Sequence, residues 1–342
     1  MAIVGGFCGS VGRTPLIELS GLSRLTGCRI LGKAEFLNPG GSVKDRAALG
    51  IIEDAEERGL LKPGGTIVEG TAGNTGIGLA HVANARGYRT IIVIPETQSL
   101  EKQEYLRAIG AEVRPVPPAP YKDPRNFNHI AKALAEEIPG AYWANQFDNT
   151  ANRQQHFKTT GPEIYEDTEG RIDGFVAAVG TGGTLAGVSM YLKSQNPRVR
   201  TVCVDPHGAA MWSWIKRGNL EFNAGSSITE GIGQNRVTAN IQGAPIDDAY
   251  RVADAPIIEM VHYLVREEGL MLGSSAALNV IGAYLLARDL GPGHTVVTIL
   301  CDGGARYLSR LFNPTWLKEK NLTPRCSVRS DLSFLIGIST GA

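Results

Sequence analysis

The stretch Asn38-Pro-Gly-Gly-Ser-Val-Lys-Asp-Arg46 sets a single lysine between a glycine turn and the start of a helical pattern. Ser42 and Asp45 have the S-x-x-D spacing of a capping box, which places Lys44 in the first helical turn. There the helix dipole disfavours a cation by roughly 0.3–1 kcal/mol. An exposed lysine tolerates so small a penalty. The alternative is an amine held at a lowered pKa for Schiff-base chemistry with a carbonyl compound. The helix end alone supplies less than about one pKa unit, so the alternative also requires burial.

Two glycine-rich turns offer further chemistry. Gly70-Thr-Ala-Gly-Asn-Thr-Gly76 joins a strand pattern to a helix pattern. Backbone N–H groups at such a helix start suit an anion, and Thr71, Asn74 and Thr75 add donors for a carboxylate. The same residues also make an ordinary tight turn. Gly180-Thr-Gly-Gly-Thr184 has a similar setting, and its three glycines let the backbone approach a phosphate closely. A nicotinamide-binding reading draws on Asp205 at the end of the next strand, but Leu185 occupies the place of the third fingerprint glycine. Gly273-Ser-Ser-Ala276 either caps a helix or sets a hydroxyl against a ring nitrogen. Cys301-Asp-Gly-Gly304 follows a buried-strand pattern, where open α/β sheets bind ligands. Asn145-Gln-Phe-Asp-Asn149 is either a polar turn or a substrate wall.

These turns need elements to hold them. Strand patterns at Arg29–Glu35, Thr66–Glu69, Thr90–Ile94, Glu112–Val116, Gly174–Val179, Thr201–Val204 and Thr295–Leu300 alternate with helix patterns. The helices are expected at Val43–Arg58, Ile77–Arg86, Ser99–Ile109, Asn128–Glu137, Leu185–Ser194 and Ala276–Arg288. Such alternation argues for parallel sheets covered by helices, arranged as two α/β lobes around a cleft. Ser226–Asn240 is expected to be a long surface loop near a site, and Cys326–Ala342 a tail, docked or loose.

Composition narrows the functional classes. Lys+Arg and Asp+Glu both number 34, which argues against a broad nucleic-acid or anionic-membrane partner. The five scattered cysteines lack a C-x-x-C pair, and the six histidines lack H-E-x-x-H, so neither a disulfide framework nor a metal site is expected. No apolar run approaches the ~18 residues of a membrane span. The first residues lack the features of a secretory signal and are too weakly basic for a mitochondrial presequence, so a cytoplasmic location is expected.

Taken in order, Gly12-Arg-Thr-Pro-Leu16, NPGGSVKDR, GTAGNTGIGLA, NQFDN, GTGGT, GSSA and DGGARYLS resemble the cysteine synthase family over roughly residues 10–312. These are O-acetylserine sulfhydrylases, with cystathionine β-synthases as cousins, all pyridoxal-phosphate enzymes of the tryptophan-synthase-β-like fold (fold type II). The resemblance implies two open parallel-sheet lobes with the cofactor between them: a smaller mobile lobe at 48–158, a larger cofactor lobe at 1–47 plus 159–325, and a tail at 326–342. It implies that Lys44 forms the Schiff base and moves the Cα proton, and that Asn74 meets the cofactor's ring oxygen. Gly180, Thr181, Gly182, Gly183 and Thr184 would cradle the phosphate, and Ser275 would face the ring nitrogen. Thr71, Ala72, Gly73, Thr75 and Gln146 would hold the substrate carboxylate.

The activity implied is replacement of acetate in O-acetyl-L-serine by sulfide through an α-aminoacrylate, in a homodimer. The chain departs from the family pattern at Ala72, where serine is usual, at Ala276-Ala277 in place of Ser-Gly, and at Cys301, where proline is common. These changes leave cofactor binding intact and the substrate open. A cysteine desulfhydrase, a cystathionine β-synthase-like enzyme, a non-catalytic binding protein on this scaffold and a nicotinamide dehydrogenase are the competing readings.

Overall fold

Short β-branched runs flanked by glycine turns form strands, and the small-residue helices between them cover both faces. The computed structural model describes residues 3–221, 225–325, 332–335 and 338. The strands are β1 (Leu16–Glu18), β2 (Arg29–Lys33), β3 (Thr66–Gly70), β4 (Arg89–Pro95), β5 (Glu112–Val116), β6 (Ala141–Trp143), β7 (Gly174–Ala177), β8 (Arg200–Pro206), β9 (Asp248–Val252) and β10 (Thr295–Ile299). They build a six-stranded sheet in the order β1-β2-β10-β7-β8-β9 and a four-stranded sheet in the order β5-β4-β3-β6. Every pairing is parallel except β1 with β2.

The helix Ser274–Leu290 shows why the larger sheet is stable. All its residues from Ser274 to Ala287 are buried, and their predominantly apolar and small side chains suit a helix enclosed on every side. They join Val176, Val202, Val204 and Val296 from the sheet in one core cluster. Among the described residues no helix is long and apolar enough to cross a membrane.

Several boundaries move relative to the sequence patterns. The helix expected from Ile77 begins at Asn74, and the one expected from Leu185 begins at Gly183. Glycine-rich turns conceal a first helical turn, because Gly73 at φ 128° and Gly182 at φ 88° reverse the chain just before it. The Lys44 helix is Lys44–Glu57 with Val43 in the capping position, one residue later than the S-x-x-D spacing suggests. The Ser42 hydroxyl accepts from the Lys44 N–H at 3.3 Å, and the Asp45 carboxylate turns back to the Gly40 N–H at 2.6 Å.

Ser226–Asn240 carries no regular structure, yet it is not merely a surface loop: Thr238 and Asn240 are fully buried. They are tethered by hydrogen bonds to Thr181 O at 2.7 Å and to Gln146 O at 2.8 Å. Most of Cys326–Ala342 lies outside the described residues. Leu332, Phe334, Leu335 and Ile338 pack on the larger sheet's core.

A buried charge cluster fixes the Lys44 helix. Arg46 donates from Nε and Nη2 to the two Glu35 carboxylate oxygens, each at 2.8 Å, and from Nη1 and Nη2 to those of Glu163, each at 2.7 Å. Burial alone would raise the Glu35 carboxyl's pKa, but the adjoining Arg46 guanidinium outweighs it and holds the group below the usual range. Removing one partner strands a buried carboxylate, which costs about 3–5 kcal/mol. Arg46→Leu should therefore lower the urea midpoint by a corresponding amount without changing the slope; an unchanged midpoint would mean that the cluster contributes nothing.

Candidate active site

The loops after β2, β3, β7 and β10 leave the carboxyl ends of parallel strands, the edge at which open α/β sheets bind ligands. They converge on a cavity of about 370 Å³ whose wall includes Lys44, Asn74, Thr181, Ser275, Gln146 and Cys301. Residues from distant parts of the chain thus meet as their types suggested.

Lys44 is half-buried at the start of its helix. Burial pulls its amine below the ordinary lysine range, the charge on Lys102 acts in the same sense, and Cys301, Asp302 and Glu35 partly oppose it. Val43, Lys44, Gly180, Thr181, Ile232 and Cys301 also line a narrower recess beside the cavity, together with Gly182 and Thr184. One lysine therefore faces both an open cleft and a recess walled by the glycine loop.

That loop is built for close approach. A Cβ on Gly180 would lie 2.2 Å from Gly231 O, so no larger residue fits there without displacing the facing backbone. Thr181 Oγ1 accepts from the Asn152 amide at 2.9 Å and from the Gly183 N–H at 3.3 Å. Gly183 itself packs against Asn152 and opens the helix Gly183–Gln195, and a helix start of this kind suits an anion.

Thr71, Ala72 and Thr75 line the main cavity. Gly73 does not; it lies against the aliphatic stem of Lys102, where a Cβ would come within 2.6 Å of Cδ. Thr75 Oγ1 donates to Gln146 Oε1 at 2.5 Å, and Gln146 Nε2 donates to Gly70 O at 3.1 Å, so the amide from NQFDN is clamped against the glycine turn. Beneath it Glu69 is fully buried, and burial pushes its carboxyl up to about 8. Ser275 lies in the cavity wall beside Cys301, whose thiol is pushed up to about 11 by burial and also accepts from Asn279 Nδ2 at 3.2 Å.

Sequence reasoning missed several supporting residues. His156 is fully buried, with Nε2 3.1 Å from Thr184 Oγ1 and Nδ1 2.8 Å from Thr160 Oγ1. Burial and the nearby Arg46 and Lys44 charges push its pKa well below the ordinary value, so it stays neutral at pH 7. Lys102 is buried and donates to Glu230 at 2.7 Å, and Arg310 donates to the other oxygen of the same carboxylate at 2.7 Å. Arg310 also reaches Thr97 O, and Ser309 reaches Glu101, so this polar seam joins the helix Leu100–Ala108 to segments of the larger sheet. A lone histidine in a polar helix and a lysine in an amphipathic one carry no motif. Only the folded contacts reveal them.

The residues fit pyridoxal phosphate. An amine of lowered proton affinity stands beside the glycine turn that opens the helix Gly183–Gln195, a setting suited to a phosphate, in a cleft large enough for a ring and an amino acid. Asn74 and Ser275 supply polar groups on the cleft wall, where a substituted pyridine needs them.

Comparisons agree with this arrangement. Residues 8–302 match the family model described as "Pyridoxal-phosphate dependent enzyme". Cysteine synthase 1 of Neurospora crassa is 54% identical over 94% of this chain and 86% of its own length. Among solved structures, an O-acetylserine dependent cystathionine beta-synthase from Helicobacter pylori superposes with a TM-score of 0.82 at 35% identity, covering 91% of this chain and 99% of that one. An O-ureido-L-serine synthase matches with a TM-score of 0.82 at 39% identity, covering 91% and 96%. The fold is that of these neighbours, and the chain belongs to the pyridoxal-phosphate dependent enzyme family.

Proposed function

We propose that this enzyme makes L-cysteine and acetate from O-acetyl-L-serine and sulfide. The observation that carries the reading is the placement of Lys44, which borders the main cleft and the glycine-loop recess together. Its cofactor, pyridoxal phosphate, supplies an electron sink for the amino acid's Cα when bound.

The chain's own residues do the rest. Gly180–Thr184 hold the phosphate at the start of the helix Gly183–Gln195, with His156 orienting the Thr184 hydroxyl. Asn74 and Ser275 orient the ring. Thr71, Thr75, Gln146 and the backbone around Ala72 and Gly73 bind the substrate carboxylate. Lys44 Nζ takes the proton from Cα, a task suited to an amine whose burial favours the neutral form.

Closure of residues 48–158 over 1–47 plus 159–325 excludes water from the reacting centre, and the polar seam at Lys102, Glu230 and Arg310 crosses between them. The enzyme works as a homodimer in the cytoplasm.

A second reading keeps the acetylated donor and takes a larger thiol as acceptor. It draws on the Helicobacter pylori neighbour and on Tyr121, Phe147 and Arg236, which stack together in the wall of the same cavity and offer contacts to a larger acceptor.

Two experiments test these readings. Rates on one batch of holoenzyme should rank O-acetylserine plus sulfide above cysteine alone, above serine plus homocysteine and above O-acetylserine plus homocysteine, the last pair being the one the second reading requires. A cysteine-first ranking would make the enzyme a desulfhydrase, and higher rates with homocysteine would favour the second reading. In cofactor-free protein, a lysine-acylating reagent should modify Lys44 with a pH profile that levels off below that of surface lysines, because a depressed pKa leaves the amine neutral at lower pH. A profile superposed on the surface lysines, read by peptide mass spectrometry, would contradict the assigned role of burial.

A further inference from the structure

The segment after β10 touches every element that carries a ring-facing or lysine-bearing residue. Cys301 O accepts from the Val43 N–H at 2.9 Å, and Asp302 O accepts from the Gly273 N–H at 3.1 Å. Ser42 pairs with Asp302, and Leu272 with Gly303, in isolated β-bridges.

Two side chains of this segment grip Asn74 from opposite ends. Asn74 Nδ2 donates to Asp302 Oδ2 at 2.7 Å, and Arg306 Nη1 donates to Asn74 Oδ1 at 2.7 Å. Asp302 is fully buried and is itself held by the Tyr307 hydroxyl at 2.6 Å. The other Arg306 nitrogen donates to Gly40 O, within the loop that leads to Lys44.

These partners decide which way the amide faces. A half-turn would set its oxygen against the Asp302 carboxylate and its NH2 against the guanidinium, losing two charge-assisted hydrogen bonds and creating two like-with-like contacts. An asparagine amide has two N–H donors. Asp302 takes one, and the side chain lines the cleft with the other to offer.

Resting on the reading that Asn74 meets the cofactor ring, we infer that Asp302 and Arg306 are positioning residues that lock the Asn74 amide with an N–H toward the ring oxygen. Arg306 at the same time ties that amide to the Lys44 loop. Neither residue touches the reacting atoms; Arg306 acts on the ring through Asn74, and Asp302 does so while its charge also bears on the Lys44 amine.

The test reconstitutes cofactor-free protein with pyridoxal phosphate and measures its affinity and the ratio of its two visible absorption bands, which reports the ring-oxygen proton. Asn74→Ala and Arg306→Leu should each weaken affinity by about tenfold, the scale for losing an outer partner of a binding residue, and shift the ratio in the same direction. Because Arg306 acts through Asn74, the double variant should be no worse than Asn74→Ala. Arg306→Lys should fall between Arg306→Leu and the unaltered enzyme. Arg306→Gln, which keeps a polar side chain and removes the charge, carries the same comparison if Arg306→Leu does not fold. Additive losses in the double variant, or a ratio that moves with Asn74→Ala and not with the partner variants, would overturn the inference. If Asn74→Ala changes neither readout, the ring contact assigned to Asn74 falls, and the inference with it.

Discussion

The ε-amine of Lys44 is drawn out of water at the first turn of a helix, where the backbone dipole also disfavours its charge. Both effects favour the neutral amine. Nearby anions keep the shift from running free: Asp302 and Glu35 pull the other way, and Glu35 is largely committed to Arg46. A lysine left in water would hold its proton near neutral pH and neither attack a carbonyl nor receive a proton from carbon. The cavity wall, the glycine loops and the buried charge cluster together keep this one group shielded and in place.

Fixing the lysine requires rigid surroundings, and the chain obtains them with buried polar contacts rather than apolar packing alone. Arg46 with Glu35 and Glu163, and Lys102 with Glu230 and Arg310, sit where hydrocarbon would pack as well or better. What hydrocarbon lacks is direction. Each guanidinium or ammonium satisfies only particular geometries, so the Lys44 helix, the glycine turn at 70–76 and the loop at Glu230 are held in one register. The segment after β10 contributes likewise, because Asp302 bonds Asn74 with its carboxylate while its carbonyl accepts from Gly273, close to Ser275.

Much of this was legible in the sequence, for identifiable reasons. Lys44, Asn74, Thr75 and the Gly180–Thr184 loop lie at glycine-rich strand-to-helix turns that suit a ligand or plain chain reversal alike, and their ordered series is what favours the ligand. Buried β-branched runs exposed the central strands just as plainly. Other parts were hidden because their roles depend on distant partners. The short strand Ala141–Trp143 is only half-buried, and nothing in its three residues announces that β3 will pair with it. His156, Lys102 and Glu230 look like surface residues until the fold buries them. Ser226–Asn240 reads as a solvent loop because its anchors, Thr238 and Asn240, bond to backbone carbonyls that no local pattern foretells.

One covalent bond, at the Lys44 nitrogen, decides the chemistry proposed for the cleft. Borohydride reduction of the holoenzyme, followed by proteolysis and peptide mass spectrometry, would fix the attachment point directly. The expected result is the mass of reduced pyridoxal phosphate on the peptide that contains Lys44 and on no other. The same mass on a peptide carrying Lys33 or Lys102, or no modified peptide from protein that visibly holds the cofactor, would contradict it.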